Sequence, residues 1–225
     1  MSKKVKRYGD IIISGIALVL TFPLMIVIAA VIKLDSKGPI LFKQKRLGYK
    51  GKSFVMYKFR TMVVGAEKMG TGLFNYKNDQ RVTKVGRILR NTSLDELPQI
   101  FNILKGEMSI VGPRPCVSYE LGDYDTLNSR YKNRFTVLPG ITGLAQVCGR
   151  NDNDWDEKVN YDNEYIKRFK REGCILDIKI IFKTICNIFL KKNIYENKFD
   201  ENMEDEESAK VANDYVIMKA HEKEN

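Results

Sequence analysis

The sequence has a single histidine, His221, and it falls within the last five residues. The usual general base near neutral pH is therefore missing from the body of the chain, so acid-base or nucleophilic work falls to carboxylates, Lys, Tyr or Cys. Four cysteines, Cys116, Cys148, Cys174 and Cys186, form no C-x-x-C pair and no Cys/His cluster. This disfavours a structural zinc site and points to reduced thiols in a cytosolic setting. Acidic residues are scarce over most of the length: residues 1–195 carry 18 Asp and Glu against 34 Lys and Arg, whereas residues 196–225 carry 10 against 4. The formal net charge of +10 thus divides into +16 for the body and −6 for the tail. Such a body attracts phosphates of nucleic acid, anionic lipid or a phosphorylated substrate. There is no internal repeat, and 225 residues suffice for one sizeable domain and an appendage.

Residues 11–32, "IIISGIALVLTFPLMIVIAAVI", hold no charge over 22 positions. As a straight helix they would extend about 33 Å, enough to cross the hydrocarbon core of a bilayer. Pro23 near the middle predicts a kink. Both flanks are basic, with Lys3, Lys4, Lys6 and Arg7 before and Lys33, Lys37, Lys43, Lys45 and Arg46 after. Under the positive-inside rule both ends prefer the cytoplasm. A helix that bends at Pro23 and returns to the same face satisfies both observations; an ordinary spanning helix with a tolerated proline is the alternative. Residues 175–192, "ILDIKIIFKTICNIFLKK", are apolar over most of a helical circumference. They read as an interfacial helix or as a buried helix of the core.

Two β-like runs, 40–45 and 53–59, flank "GYKGK" and predict a hairpin carrying Lys58 and Arg60. "TKVGRILRNTS" predicts a short helix ending near Asn91. A second helix is expected to begin with "TSLDELPQIFNIL", residues 92–104. Its S-x-D-E start is a capping box in which Ser93 and Glu96 satisfy each other's amides, and Asp95 favours the positive end of the helix dipole. Taken in isolation, that pattern explains both carboxylates without chemistry. The surroundings suggest more. Arg90 precedes the pair by five residues, Arg114 follows on a loop stiffened by Pro113 and Pro115, and Arg150 lies in the glycine-rich "LPGITGLAQVCGRND", a loop able to bring backbone amides near an anion. If these converge, Asp95 becomes a carboxylate nucleophile in a cationic pocket, suited to attack on phosphorus. A Mg²⁺ bound through Asp95 and phosphate oxygens fits the same chemistry. Residues 154–171 predict a helix with Trp155, Val159, Ile166 and Phe169 facing the core. The acidic tail from 196 reads as disordered.

Four ordered motifs now stand together: the basic, proline-broken hydrophobic helix, "YKFRTM" at 57–62, "SLDELPQIFNILKGEMSIVGPRP" at 93–115 and "PGITGLAQVCGRN" at 139–151. In this combination, from about residue 3 to 192, the chain resembles the bacterial sugar transferases, the monotopic polyprenyl-phosphate phosphoglycosyl transferases. The resemblance implies an α-rich α+β, membrane-associated protein. It divides into a re-entrant helix over 1–36, a small cytoplasmic catalytic domain with a short β-hairpin and interfacial helices over 37–195, and the tail at 196–225. It implies a place on the cytoplasmic face of the bacterial inner membrane. The activity implied is transfer of a sugar 1-phosphate from a UDP-sugar to polyprenyl (undecaprenyl) phosphate, with Mg²⁺ required and UMP released. Asp95 would form the covalent phosphosugar and Glu96 would assist the incoming lipid phosphate. Lys58, Arg60, Arg90, Arg114 and Arg150 would contact substrate, and Asn151 beside Arg150 would bear on donor choice. Without the several spanning helices of longer members, the sequence resembles the short, single-domain group. A homo-oligomer is left open. The competing reading is a non-catalytic, basic membrane-surface protein that binds anionic lipid or nucleic acid; the motif set makes a nucleic-acid partner unexpected.

Overall fold

The computed structural model describes residues 3–69, 79–149, 154–190, 217–218 and 220–221. Helix α1, Lys3–Asp35, takes in the whole hydrophobic segment and continues through Pro23, so the proline does not end the helix. Near it, the Thr21 hydroxyl donates to the Ala17 carbonyl at 2.7 Å. One side of α1 is uncovered and apolar, with Ile12, Ile16, Val19, Leu20 and Phe22 all more than half exposed. The helix is long and apolar enough to cross a membrane by length and composition.

Both ends of α1 are tied to the same body. Near its start Lys6 pairs with Asp177 at 2.6 Å, Arg7 donates to the Ile103 and Leu104 carbonyls, and Asp10 accepts from the Ser109 hydroxyl at 2.8 Å. Towards its end Met25, Ile28 and Ile32 pack with Phe59 and Leu89, and Asp35 accepts from the Val85 amide. The basic residues of the N-terminal flank thus do more than bias topology. Arg7 satisfies the last carbonyls of a helix, the place where a cation is most favourable.

The predicted hairpin is present: β1, Leu41–Leu47, pairs antiparallel with β2, Ser53–Phe59, so that Leu41 faces Phe59 and Phe42 faces Lys58. Next come α2, Lys84–Thr92, and α3, Gln99–Lys105. On α3 the buried Asn102 closes the free edge of β2, accepting from the Tyr57 amide and donating to the Val55 carbonyl. Strand edges left open invite pairing with other chains, so this contact also protects the hairpin.

Strand β3, Ser109–Val111, leads through α4, Ser118–Leu121, and α5, Ser129–Asn133, to β4, Gly140–Thr142, which runs parallel to β3. The backbones here approach so closely that a Cβ on Gly140 would stand 2.1 Å from the Gly112 nitrogen. Within "PGITG" the Gly140 amide and the Thr142 carbonyl are therefore used to join the two segments. Gly112 donates to Thr142, and Gly140 to Pro113, so the Gly140 amide is not offered to an anion.

Short α6, Leu144–Cys148, precedes α7, Trp155–Glu172, and α8, Cys174–Phe189. Asp154 and Glu157 form a capping box at the start of α7. Helix α8 has one face in the core and one face open to solvent. Leu176 and Ile180 are buried with Val111, Tyr165 and Ile166, while Ile175, Ile178, Phe182 and Ile185 form an exposed apolar stripe.

Most of the acidic tail lies outside the described residues. At its end, however, the expected disorder is corrected: Ala220 is fully buried against Leu121, Leu127 and Tyr131, its carbonyl accepts from the Asn128 amide, and the His221 ring meets the Leu121 carbonyl at 2.8 Å.

Candidate active site

The dyad does not start an α-helix. Ser93 adopts a left-handed conformation (φ 57°, ψ 17°), stops α2 and opens a single 3-10 turn, Leu94–Glu96, while α3 begins only after Pro98. The Ser93 side chain caps nothing; the Glu96 amide bonds instead to the Ser93 carbonyl. The capping-box expectation is thus corrected. Pro98 was the signal, since proline favours the first turn of a helix and disfavours positions further in. A left-handed serine costs about 1–2 kcal/mol, and strain of this kind gathers at sites where the chain must turn sharply. Here the turn sends Leu94 and Leu97 into the cluster formed with α1 and leaves Asp95 and Glu96 on the wall of a cavity.

That cavity has a volume of about 1010 Å³. Its wall includes Lys58, Arg90, Asp95, Glu96 and Arg114, together with Ile13 and Ala17 of α1 and Ile188 of α8. A charged, phosphate-seeking wall therefore adjoins the two helices that carry the uncovered apolar surfaces.

The two carboxylates have opposite environments. Glu96 accepts from Lys58 Nζ at 2.7 Å and from Arg114 Nη2 at 3.0 Å. Burial works against its charge, but Lys58 and Arg114 outweigh that and hold its carboxyl far below the usual range. Asp95, 9% exposed, makes no hydrogen bond or ion pair among the described residues. Burial pushes its carboxyl up, with Lys58, Arg90 and Arg114 opposing and Glu96 reinforcing the rise. The expected lowering by a helix dipole does not occur, because a three-residue turn has no appreciable dipole. Burial also lowers the Lys58 ammonium, against Glu96, and Glu96 raises Arg114.

Each cation is positioned by its own element. Lys58 extends from the face of β2 that also carries Phe54 and Met56 onto Ile103 and Met108. Arg90, on the last turn of α2, donates through Nε to Thr61 Oγ1 at 2.8 Å. Arg114 stands on the loop between its prolines, half exposed. Arg60 borders the cavity, and its guanidinium donates to Ser36 Oγ and to the carbonyls of Ser36, Lys37 and Pro39, closing the connection from α1 to β1. Arg150 and Asn151 lie outside the described residues.

No group of three or more His, Cys, Asp or Glu that could hold a metal occurs among the described residues. With Glu96 held by two cations, Asp95 is the carboxylate that fits a hard cation sharing its shell with substrate phosphates, the mode Mg²⁺ favours.

Residues 1–191 match the bacterial sugar transferase family, and the chain belongs to it. It is 47% identical over 192 residues, 84% of its length and 41% of the relative's, to the UDP-glucose:undecaprenyl-phosphate glucose-1-phosphate transferase of Klebsiella pneumoniae. Over 208 residues it is 41% identical to the undecaprenyl-phosphate galactose phosphotransferase of Salmonella typhimurium, covering 86% of this chain and 42% of that one. The exopolysaccharide production protein ExoY of Rhizobium meliloti is 38% identical over 204 residues, 84% of this chain and 88% of ExoY. The chain thus spans about two fifths of the length of the first two relatives and most of the third.

Proposed function

We propose that this chain transfers a sugar 1-phosphate from a UDP-sugar to undecaprenyl phosphate at the cytoplasmic face of the bacterial inner membrane. The observation that carries the proposal is the division of labour within the dyad: an ion-paired Glu96 beside a buried Asp95 that has no ion-pair partner among the described residues, in a cavity lined by Lys58, Arg90 and Arg114. The family and the names of its relatives give the substrate class.

In this reading an Asp95 oxygen attacks the phosphorus that bears the sugar. The bond from that phosphorus to the bridging oxygen breaks, and UMP leaves with the electron pair. The aspartyl phosphosugar is then attacked by an oxygen of the lipid phosphate, which returns Asp95 as carboxylate and gives the polyprenyl-diphosphate sugar. Neither leaving group needs protonation from a histidine. Lys58, Arg90 and Arg114 offset the repulsion between Asp95 and the phosphates and stabilise charge on the equatorial oxygens. Burial makes Asp95 less well solvated and so a better nucleophile once ionised. A bound Mg²⁺, held by Asp95 and the phosphates, would supply further charge neutralisation.

Glu96 is better suited to organising Lys58 and Arg114 than to taking a proton, because those cations keep it ionised. The lipid phosphate, largely dianionic at neutral pH, needs no strong base. The ties at both ends of α1 support a re-entrant helix with the body on one side, since a simple span would carry Lys6 and Asp10 away from Asp177 and Ser109. The exposed stripe of α8 supports contact with the lipid interface. A non-catalytic surface protein would leave the dyad without a reason, as its capping role is absent.

The test is UMP release by the solubilised, full-length protein from a panel of UDP-sugars with undecaprenyl phosphate and Mg²⁺. Release is expected with at least one donor and is lost in Asp95→Asn. No release above the Asp95→Asn background with any donor would overturn the proposal.

A further inference from the structure

The loop that presents Arg114 is fixed through its carbonyls. Pro113 and Pro115 have no amide hydrogen, so the chain here can be held mainly from the oxygen side. Four successive carbonyls are each taken by a different partner. The Pro113 oxygen accepts from the Gly140 amide, the Arg114 oxygen from Arg134 Nη2 at 2.7 Å, the Pro115 oxygen from Arg46 Nη1 at 3.1 Å, and the Cys116 oxygen from the Leu47 amide at 2.8 Å.

Arg134 differs from Arg46, the other side chain among these partners, in being fully buried. It is 4% exposed and lies 5.0 Å from the centroid of the Trp155 ring; its Nε stands 3.0 Å from Oδ2 of the equally buried Asp162 on α7. Nε, Nη1 and Asp162 Oδ2 have no hydrogen-bond partner among the described residues, so Asp162 holds the guanidinium by charge at close range. A buried ion pair of this kind is a poor stabiliser, since an apolar pair of similar volume commonly does as well or better. Its arrangement makes sense as a means of direction. The planar fork reaches Asp162 through one edge and the Arg114 carbonyl through another, which the single ammonium of lysine cannot reproduce in the same geometry. A chain of contacts then runs from Asp162 through Arg134 to the Arg114 backbone, and from the Arg114 guanidinium to Glu96.

We propose that Arg134, held by Asp162, is a positioning residue for Arg114, fixing the backbone from which the Arg114 guanidinium reaches Glu96 and the donor phosphates. This rests on the function proposed above. The inference is tested by a double-mutant cycle on the full-length protein in detergent, using Arg134→Lys, Arg114→Lys and the combination. Arg134→Lys is expected to lower kcat/KM for the UDP-sugar by about 30-fold, chiefly in kcat, as misplacing a reacting group by a fraction of an ångström does. In the Arg114→Lys background the same change is expected to cost less than about 3-fold, because the residue it acts through is already altered. Equal losses in both backgrounds, or no loss in Arg134→Lys alone, would overturn the proposal. Should Arg134→Lys fail to fold, Asp162→Asn, which keeps shape and leaves Arg134 in place, carries the same cycle. The cycle is read in parallel on the rise in Tm that UMP induces, which requires no turnover. A wild-type protein that binds UMP but releases none from any donor would overturn the proposed function, while the Tm cycle would still decide the positioning role.

Discussion

Glu96→Gln separates two roles that a carboxylate beside a nucleophile could have. The substitution keeps the shape but removes the charge that receives Lys58 at 2.7 Å and Arg114 at 3.0 Å. Lys58, with its side chain only 16% exposed, would be left without its main counter-ion. Breaking a buried pair from one side costs about 3–5 kcal/mol, and the low end applies because Asp95 still attracts the ammonium. The half-exposed Arg114 adds no more than about 1 kcal/mol after solvent screening. The expected loss of stability is therefore about 3–4 kcal/mol, a large share of a typical domain's 5–15 kcal/mol, and denaturant titration would show it.

The kinetic consequence distinguishes the roles. If Glu96 organises Lys58 and Arg114, its loss loosens two cations needed when Asp95 attacks, so the pre-steady-state burst of UMP, measured by rapid quench, slows by about 100-fold. If Glu96 serves only to activate the lipid phosphate, the burst keeps its wild-type rate and amplitude while steady-state turnover falls. An unchanged burst in Glu96→Gln, or unchanged stability, would refute the organising role.

Two further expectations concern a buried carboxyl and the topology of α1. Burial pushes the Asp162 carboxyl up to about 6 from an ordinary 3.8, against the pull of Arg134, so the native state holds the extra proton between those values. Its contribution to stability is greatest below about pH 4 and is lost as pH rises through 6. The difference, about 2 pKa steps at 1.36 kcal/mol each, is about 3 kcal/mol. Stability measured from pH 4 to 7 should therefore fall by about that much more in the wild type than in Asp162→Asn, and parallel curves would contradict it. For topology, single cysteines replacing Lys4 and Lys37 should react with an impermeant maleimide from the same side of sealed vesicles. Labelling from opposite sides would replace the re-entrant helix with a simple span.

Much of the architecture was legible because it depends on short-range patterns. The apolar run of α1, the hairpin around "GYKGK", the end of α2 near Asn91 and the helix α7 from about residue 154 each follow from residues within a few positions of one another. The gathering of Lys58, Arg90 and Arg114 around the dyad could be expected only through the family motifs, since their spacing alone does not bring them together. The local reading failed where two outcomes shared one pattern. "SLDE" suits a capping box, yet Ser93 turns left-handed and Pro98 sets the true helix start.

The sequence by itself determined that this protein has a long apolar helix, a basic body and a carboxylate pair followed by arginine-bearing motifs, since charge and periodicity are properties of the chain. Tertiary structure decided which charges do what. Lys6, Arg7 and Asp10 look like a basic flank and the edge of a hydrophobic run, but their partners lie 96 to 171 residues away. Arg60 and Arg114 look alike as motif arginines; one closes a loop and the other faces Glu96. Glu96 is claimed by two cations while the adjacent Asp95 is buried and has no ion-pair partner among the described residues. Neighbouring residues on one turn point to different surroundings, and those surroundings, set by packing between distant segments, fix their charge and their chemistry.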